Sequence, residues 1–239
     1  MMRKMFAVAL ASAALAMPAL GQTQTLINED FSGWPVALNV TSAPSGSPWT
    51  VYGNVDVIAN GTHSITCASN NCLDLDGSAQ TAGSLESQLF QFYAGDVLRF
   101  QFDVSGSQRT ASGLDTFFAY LYSTGSLSIS SLESQSDGAV DYSPSETFGG
   151  GFALAPELNG GLLASTYPWT TWYVQFTLEH DAEIGVGFLT TSADNVGPMI
   201  DNVLLTRTAA TTVPEPSTYM LMAAGLAAMA AVARRRRNA

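Results

Sequence analysis

Short alternating stretches of apolar and polar residues, separated by glycine, asparagine, serine and aspartate, most constrain how this chain can fold. Residues 49–58 place Val51, Val55 and Val57 on one side, and residues 170–178 and 182–189 alternate in the same way. A two-residue period is typical of half-buried β-strands. Since the body shows no convincing helical period and no strand–helix alternation, we predict an all-β, antiparallel β-sandwich.

Turn signals suggest which of these strands pair. Predicted strands at 84–92 and 96–104 are joined across an Ala-Gly turn, and those at 116–123 and 126–132 across a Thr-Gly turn. Glycine at such positions is typical of hairpins, so we expect each pair to be neighbours in one sheet. Residues 137–163 are the least periodic part, and we predict at most two weak strands there.

The C-terminus carries three signals in a fixed order. A stub with two prolines comes first, and proline bars a continuous helix or strand. The apolar residues 217–233 follow, and as a helix they are just long enough to cross a thin hydrocarbon core. Four arginines then stop transfer and hold that end in the cytoplasm. The stub is Val213, Pro214, Glu215 and Pro216, and the basic stop is Arg234, Arg235, Arg236 and Arg237.

This order resembles the PEP-CTERM sorting tail, also catalogued as the ice-binding-protein C-terminal domain. The resemblance implies that a membrane-embedded exosortase cleaves at the Pro-Glu-Pro site and releases or re-anchors an exported protein. The inner membrane is then only a transient partner. The alternative is an ordinary C-terminal membrane anchor that is never processed. The tail is an address, and it implies nothing about ice binding.

The N-terminus predicts export as well. A basic start with Arg3 and Lys4 precedes an apolar run at 5–17 and a small-x-small site that ends at Gly21. This pattern is typical of a secretory signal peptide, so we predict residues 1–21 to be a signal helix that is removed. The remaining organisation is a β-sandwich at 22–207, a linker at 208–212 and the sorting tail at 213–239. The mature protein is expected at the cell surface or secreted.

The body between residues 22 and 212 is strongly acidic. It holds three basic residues and nineteen acidic ones, a balance of −16. Such a surface repels nucleic acid and anionic lipid headgroups, so both are poor partners and no nucleic-acid partner is expected. It attracts divalent cations and is compatible with carbohydrate binding. About 190 residues are enough for one domain with a full hydrophobic core.

Two cysteines, Cys67 and Cys72, are the only ones in the chain. In an oxidising compartment we expect them to form a disulfide that pins the tip of a short loop. Metal binding by this pair is not expected, because zinc sites require more ligands than two cysteines and a distant histidine.

Several strings in the body resemble the galactose-binding-like or carbohydrate-binding-module jelly roll, among them L-I-N-E-D-F near the start, C-L-D-L-D-G-S, and I-D-N-V-L-L at the end. The resemblance implies a jelly-roll-like sandwich with a structural calcium ion where the first and last strands meet. The implied ligands are Asn28, Asp30 and Asp201, although Ser32 stands where the family usually has glutamate. The alternative is that these carboxylates are solvated strand ends.

Aromatic residues are numerous for a small sandwich, and sugar rings stack on such planar faces. Tyr167 and Trp169 flank a proline in a predicted loop, and we predict that they form a ligand platform. The alternative is that they belong to the core.

Catalytic signatures are absent from the sequence. There is no G-x-S-x-G elbow, and the only histidines, His63 and His180, are expected at the surface. Asp74 and Asp76 share one face of a predicted strand, with a turn role for Asp76 as the favoured interpretation. The acidic residues at 179, 181 and 183 are expected on a solvated turn, because a glycosidase needs two carboxylates across a cleft.

The function expected from these features is non-catalytic. We predict an exported cell-surface or extracellular-matrix protein that is adhesive or associated with polysaccharide, with exosortase as its sorting partner. The alternatives are a glycan-active hydrolase on the same sandwich, which would bring distant carboxylates together in one cleft, and a structural coat protein without a ligand.

Overall fold

Strands dominate the part of the chain that the computed structural model describes, which comprises residues 21–109, 113–124, 127–135, 147–148, 151–154, 162–192, 194–210 and 216–238. The predicted signal helix lies outside these residues, apart from Gly21. In chain order the strands are β1 (Thr23–Glu29), β2 (Ala37–Val40), β3 (Trp49–Tyr52), β4 (Val55–Ala59), β5 (Asn71–Asp74), β6 (Asp76–Gly77), β7 (Thr81–Ala82), β8 (Ser84–Ser87), β9 (Phe90–Phe92), β10 (Val97–Ser105), β11 (Leu114–Thr116), β12 (Phe118–Ser123), β13 (Ile129–Gln135), β14 (Thr147–Phe148), β15 (Gly151–Leu154), β16 (Leu162–Ala164), β17 (Thr170–Leu178), β18 (Ala182–Leu189) and β19 (Met199–Thr208).

Two large antiparallel sheets contain most of these strands. The first sheet has the order β13-β17-β10-β19-β5-β4-β2, with β1 also paired to β19. The second sheet has the order β14-β15-β12-β18-β8-β3, with β9 also paired to β18. Two short ladders, β6–β7 and β11–β16, complete the unit Gln22–Ala210. The predicted all-β, antiparallel and jelly-roll-like sandwich is confirmed.

The two sheets enclose one main apolar core. Along β10 and β17 every second side chain is buried, as the two-residue period predicts. Phe188 of the second sheet meets Phe100 and Phe102 of the first, with ring centroids 5.6 Å and 5.0 Å apart. A smaller cluster at one end packs Ile58, Ile65 and Met199 around the Cys67–Cys72 disulfide.

Both predicted hairpins are wrong. β9 pairs with β18 in the second sheet, whereas β10 pairs with β17 and β19 in the first. Likewise β12 lies in the second sheet and β13 in the first. The Ala94-Gly95 turn is therefore an arch that carries the chain from one sheet to the other, whereas residues 125–126 of the second predicted turn lie outside the described residues. Long ladders with strands distant in sequence replace the local pairs.

The predicted single strand at 49–58 is also wrong, because the structure divides it. β3 belongs to the second sheet and β4 to the first. Gly53 lies between them with a φ of 69°, a backbone conformation that residues with a side chain rarely adopt. A Cβ at this position would also lie 2.2 Å from the carbonyl oxygen of Ala82. The chain therefore changes sheets at this glycine.

The tail forms α1 (Pro216–Asn238), with arginines in its last turn. Within the described residues, no helix is long and apolar enough to cross a membrane. The predicted C-terminal helix is thus confirmed, but the prediction that residues 217–233 cross a membrane is not. Seven of those seventeen residues are alanines, whose side chains offer much less apolar surface than leucine.

Candidate functional site

The outward side of the second sheet carries three tyrosines and a glutamate around a central strand. Tyr120 of β12 lies opposite Gly187 of β18, which in turn lies opposite Glu86 of β8. Tyr122 lies opposite Gly185 in the same pair of strands. Tyr52 of β3 lies opposite Ser84, two residues before Glu86. We call these side chains, Tyr52, Glu86, Tyr120 and Tyr122, together with the two glycines, the tyrosine face.

Glycine in β18 allows the two central rings to lie across the strand. A Cβ on Gly185 would lie 2.3 Å from Cζ of Tyr122, and one on Gly187 would lie 2.5 Å from Cζ of Tyr120. No real Cβ atom tolerates such contacts, so any other residue would push the rings outward. Both glycines are buried because the rings cover them. Glycine inside a strand often marks such a close approach.

Hydrogen bonds hold the rings in this position. Oη of Tyr120 donates to Oε1 of Glu86 at 2.6 Å. Oη of Tyr122 donates to the carbonyl oxygen of Ser87. Burial, together with the Glu86 carboxylate, raises the pKa of Tyr120 and raises that of Tyr122 to about 12. Both phenols therefore stay protonated and act as donors at any physiological pH.

The tyrosine face offers the groups that sugars require. Tyr52 is 52% exposed and adjoins the fixed pair Tyr120 and Tyr122, whose ring centroids are 6.2 Å apart. Planar aromatic faces stack against pyranose rings, and a carboxylate accepts hydrogen bonds from sugar hydroxyls. The tyrosine face therefore combines one exposed ring with two rings that hydrogen bonds hold in place.

The sequence reasoning missed this face, although a signal for it exists. On β12 the outward positions read Phe118, Tyr120 and Tyr122, and on β18 they include Gly185 and Gly187. Alternation alone assigns each set to one side of its strand. Only the pairing of β12 with β18 brings the tyrosines over the glycines.

The predicted platform residues, Tyr167 and Trp169, are both partly buried. Tyr167 packs against the main core, and its carbonyl oxygen accepts hydrogen bonds from N of Gly106 and Oγ of Ser105. Trp169 packs against the disulfide cluster and donates its Nε1 proton to the carbonyl oxygen of Thr66 at 2.6 Å. Their role as a platform remains a prediction.

The three predicted calcium ligands lie in different settings. Asp201 is fully buried and accepts hydrogen bonds from N and Oγ of Ser69, at 2.7 Å and 2.9 Å. Burial raises its pKa to about 6. The Asp30 carboxylate is exposed and caps its own turn by accepting from N of Ser32. Asn28 is exposed.

The Ser69 hydroxyl lies near more hydrogen-bond acceptors than it has protons to donate. Its Oγ lies 2.9 Å from the carbonyl oxygen of Asp30, 2.8 Å from that of Asn71 and 2.9 Å from Oδ1 of Asp201. A hydroxyl has one proton, so at most one of these contacts is a donated hydrogen bond. Oxygen-rich points of this kind suit a hard cation such as calcium. In the described part of the chain, however, no group of three His, Cys, Asp or Glu side chains is arranged to hold a metal ion.

Asp74 and Asp76 do meet distant carboxylates, but inside the protein. Asp76 is fully buried beside Asp194, and the charges of both raise the pKa of Asp115, which is 1% exposed. A substrate has no access to the two buried carboxylates. Glu179, Asp181 and Glu183 are exposed around the β17–β18 turn, and His63 and His180 are exposed too, as predicted.

The PEP-CTERM protein-sorting motif matches residues 212–237 of this chain. The predicted sorting tail is thus confirmed, and the motif marks an exported protein that exosortase sorts. Residues 211–215, which hold Val213, Pro214 and Glu215, lie outside the described part of the structure.

Comparison with curated proteins finds no match. Among solved structures, the CBM22-1 xylan-binding domain of Paenibacillus barcinonensis Xyn10C is similar, with 12% identity and a TM-score of 0.44 over 81% of this chain and 100% of that one. The CBM22-1–GH10 modules of Clostridium thermocellum Xyn10B with xylohexaose give 15% identity and a TM-score of 0.41, over 79% of this chain and 29% of that one. The K3 adhesin domain of Porphyromonas gingivalis Lys-gingipain gives 13% identity and a TM-score of 0.37, over 77% and 99%.

Proposed function

We propose that this exosortase-sorted extracellular protein is a non-catalytic module of the cell surface or extracellular matrix that binds polysaccharide through the tyrosine face. The observation that carries the proposal is the placement of Tyr120 and Tyr122 across two glycines, hydrogen-bonded in place beside the exposed Tyr52. Rigid aromatic side chains lose little conformational entropy when a ligand binds. Glycan binding explains why the face is aromatic and fixed.

The negative charge of the body favours neutral glycans over acidic ones. Glu86 lies within the tyrosine face, and the body as a whole carries nineteen acidic residues against three basic ones. A polymer of uronic acids would bring carboxylates towards this negative surface, which costs free energy. We therefore propose a neutral polysaccharide as the ligand.

A catalytic role receives no support from this geometry. Glu86 is committed to Tyr120 and is the one carboxylate that the described part of the tyrosine face contains. Glycosidases use two carboxylates, about 5–10 Å apart, on either side of the scissile bond. The raised-pKa aspartates 76 and 115 are buried and do not supply the second one.

The binding proposal is tested with the full chain on a panel of neutral and acidic polysaccharides. Tyr52→Ala removes the exposed stacking ring, and we expect the affinity for a bound neutral glycan to fall about tenfold, the effect of roughly 1–1.5 kcal/mol per aromatic contact. Tyr93→Ala is the matched control, because Tyr93 is 49% exposed but lies outside the tyrosine face. Equal losses in the two variants, or no glycan bound by the parent protein, would refute the proposal.

Calcium remains a second proposal, now with a changed ligand set. The residues that fit are Asp201, the carbonyl oxygens of Asp30 and Asn71, and the Ser69 hydroxyl. Calcium would supply positive charge to a buried carboxylate and to three crowded oxygens. Since Asp30 follows β1 and Asp201 lies in β19, the ion would join the first and last strands of the sandwich.

A further inference from the structure

The loop after β18, residues 190–192 and 194–198, is held by carboxylates from other parts of the chain. Oδ2 of Asp76 accepts from N of Asp194 at 2.8 Å, and Oδ1 of Asp74 accepts from N of Gly197 at 2.9 Å. Asp115 of β11 lies beside Ser192, whose hydroxyl lowers the pKa of Asp115 against the effect of burial. Two buried aspartates therefore hold one loop, which connects the second sheet to the first, and a third lies beside it.

Two of these aspartates have an oxygen without a hydrogen-bond donor. Asp76 and Asp115 are 0% and 1% exposed. Within the described residues, Oδ1 of Asp76 and Oδ2 of Asp115 accept no hydrogen bond. A buried ionised carboxylate with an unsatisfied oxygen is costly, whereas a neutral carboxyl is much less so.

The proximity of Asp194 favours a proton on Asp76. The Asp194 carboxylate interacts with the Asp76 side chain and raises the pKa of Asp76. Ionised carboxylates are acceptors only, so two of them share a hydrogen bond only when one carries a proton. Like charges at such a distance push one pKa upward, as in other carboxylate pairs.

Within the described part of the chain, the charged groups that act on Asp74, Asp76 and Asp115 are all acidic. Asp56 acts on Asp74, Asp194 acts on Asp76, and both Asp194 and Asp76 act on Asp115. The ion pair between Arg207 and Asp96 involves none of these aspartates. Burial first, and then these neighbours, raises the pKa of Asp76 to about 6 and that of Asp115 to about 7, and burial raises the pKa of Asp74 well above its usual value.

We propose that Asp76, Asp115 and Asp194 form a proton-operated clamp that fastens the β18–β19 loop when the cluster carries protons and loosens it when the cluster is ionised. The inference goes beyond glycan binding and does not depend on it. It adds a regulatory property to an exported protein, whose surroundings are not buffered as the cytoplasm is.

The direction of the pH dependence follows from the raised pKa values of Asp76 and Asp115. Because the folded loop binds protons more tightly than an opened loop would, the clamp is fully fastened at acidic pH. The contribution of the clamp to loop stability is lost as the pH rises through about 6 to 7, the pKa values of Asp76 and Asp115. Each unit of raised pKa corresponds to a tenfold change in the opening equilibrium.

Hydrogen exchange of the full chain tests the proposal in buffers that contain EDTA. After correction for intrinsic rates, we expect protection of the amides of Asp194 and Gly197 to fall about tenfold or more between pH 5.5 and pH 8. Asp194→Asn, at an exposed position, removes one charge without a change of shape and should flatten this dependence. Asp115→Asn should flatten it as well.

Glu183→Gln is the control, because it removes one exposed charge from a different turn and should leave the dependence intact. Equal protection at pH 5.5 and pH 8 in the parent chain would overturn the proposal. So would an unchanged pH dependence in Asp194→Asn. Protection at pH 8 that calcium restores at these two amides would overturn it too, since a cation would then neutralise the cluster.

Discussion

Oη of Tyr120 and Oε1 of Glu86 are 2.6 Å apart, although their strands, β12 and β8, are separated by β18. The hydrogen bond passes over Gly187, which lies opposite both residues in the register of the sheet. A side chain at position 187 would occupy the place of the tyrosine ring. The missing side chain in the middle strand therefore leaves room for the tyrosine face.

Gly187→Ala should destabilise the protein and displace the Tyr120 ring. The added Cβ would lie 2.5 Å from Cζ of that ring, and overpacking of this kind costs about 1–3 kcal/mol. Urea unfolding measures the loss of stability, and glycan affinity should fall in the same variant. Gly33→Ala is the control, since nothing lies within 4 Å of the Cβ it would add. Equal stability of the two variants would contradict the expected clash.

Arg207→Ala should cost about 3 kcal/mol of unfolding free energy at neutral pH. Nε of Arg207 donates to Oδ2 of Asp96 at 2.5 Å, and Asp96 is only 3% exposed, so the variant leaves a buried carboxylate without its cation. Chemical denaturation measures the effect. Asp96→Asn in the Arg207→Ala background should recover part of the loss.

Arg99→Ala provides the matched comparison for this ion pair. Its guanidinium stacks on the Tyr173 ring at 3.8 Å and donates to the Gln101 side chain. An exposed cation–π contact contributes about 0.5–1 kcal/mol. A loss in Arg99→Ala as large as that in Arg207→Ala would show that burial of Asp96 is not the cause.

Calcium should raise the thermal stability of the full chain if the Ser69–Asp201 site binds it. At a hundredfold excess over the dissociation constant, binding adds about 2.7 kcal/mol to the unfolding free energy. Asp201→Asn should abolish the shift, whereas Asp181→Asn, on an exposed turn, should retain it. Differential scanning calorimetry with calcium and with EDTA distinguishes these results. An identical shift in both variants would place the ion elsewhere.

Pro214→Ala combined with Pro216→Ala should block processing of the tail. The PEP-CTERM motif covers residues 212–237, and we propose that exosortase cleaves at the stub that holds the two prolines. In a bacterium with an exosortase, we expect the variant to keep Arg234 to Arg237, which mass spectrometry of the extracted protein detects. Thr211→Ala, one residue before the motif, should be processed normally. Processing of the double variant would show that another sequence is recognised.

Individual strands could be predicted from the sequence more readily than their partners. The strands at 170–178 and 182–189 agree with β17 and β18 because their alternation is regular over eight or nine residues. The short turn between them nevertheless connects two different sheets. Pairing depends on which ladders the whole sandwich can complete, and a turn signal does not encode that.

The sorting tail and the tyrosine face differ in the same respect, namely whether the sequence alone predicts them. The sorting tail was predictable because its motif is local in sequence. The tyrosine face was not predictable, because it needs β8, β12 and β18 side by side. The meeting of Asp76 with Asp115 and Asp194 likewise depends on three segments far apart in the chain.

By itself the sequence determined that this is an exported, acidic, all-β protein with a sorting tail, since composition, a two-residue period and terminal signals are local properties. Only the tertiary structure decided that two glycines lie beneath two tyrosines and that buried aspartates share one loop. The physical reason is that strand register and sheet order are set by long-range packing of the core. A change of one residue in register would turn every side chain of the tyrosine face to the opposite side of its strand.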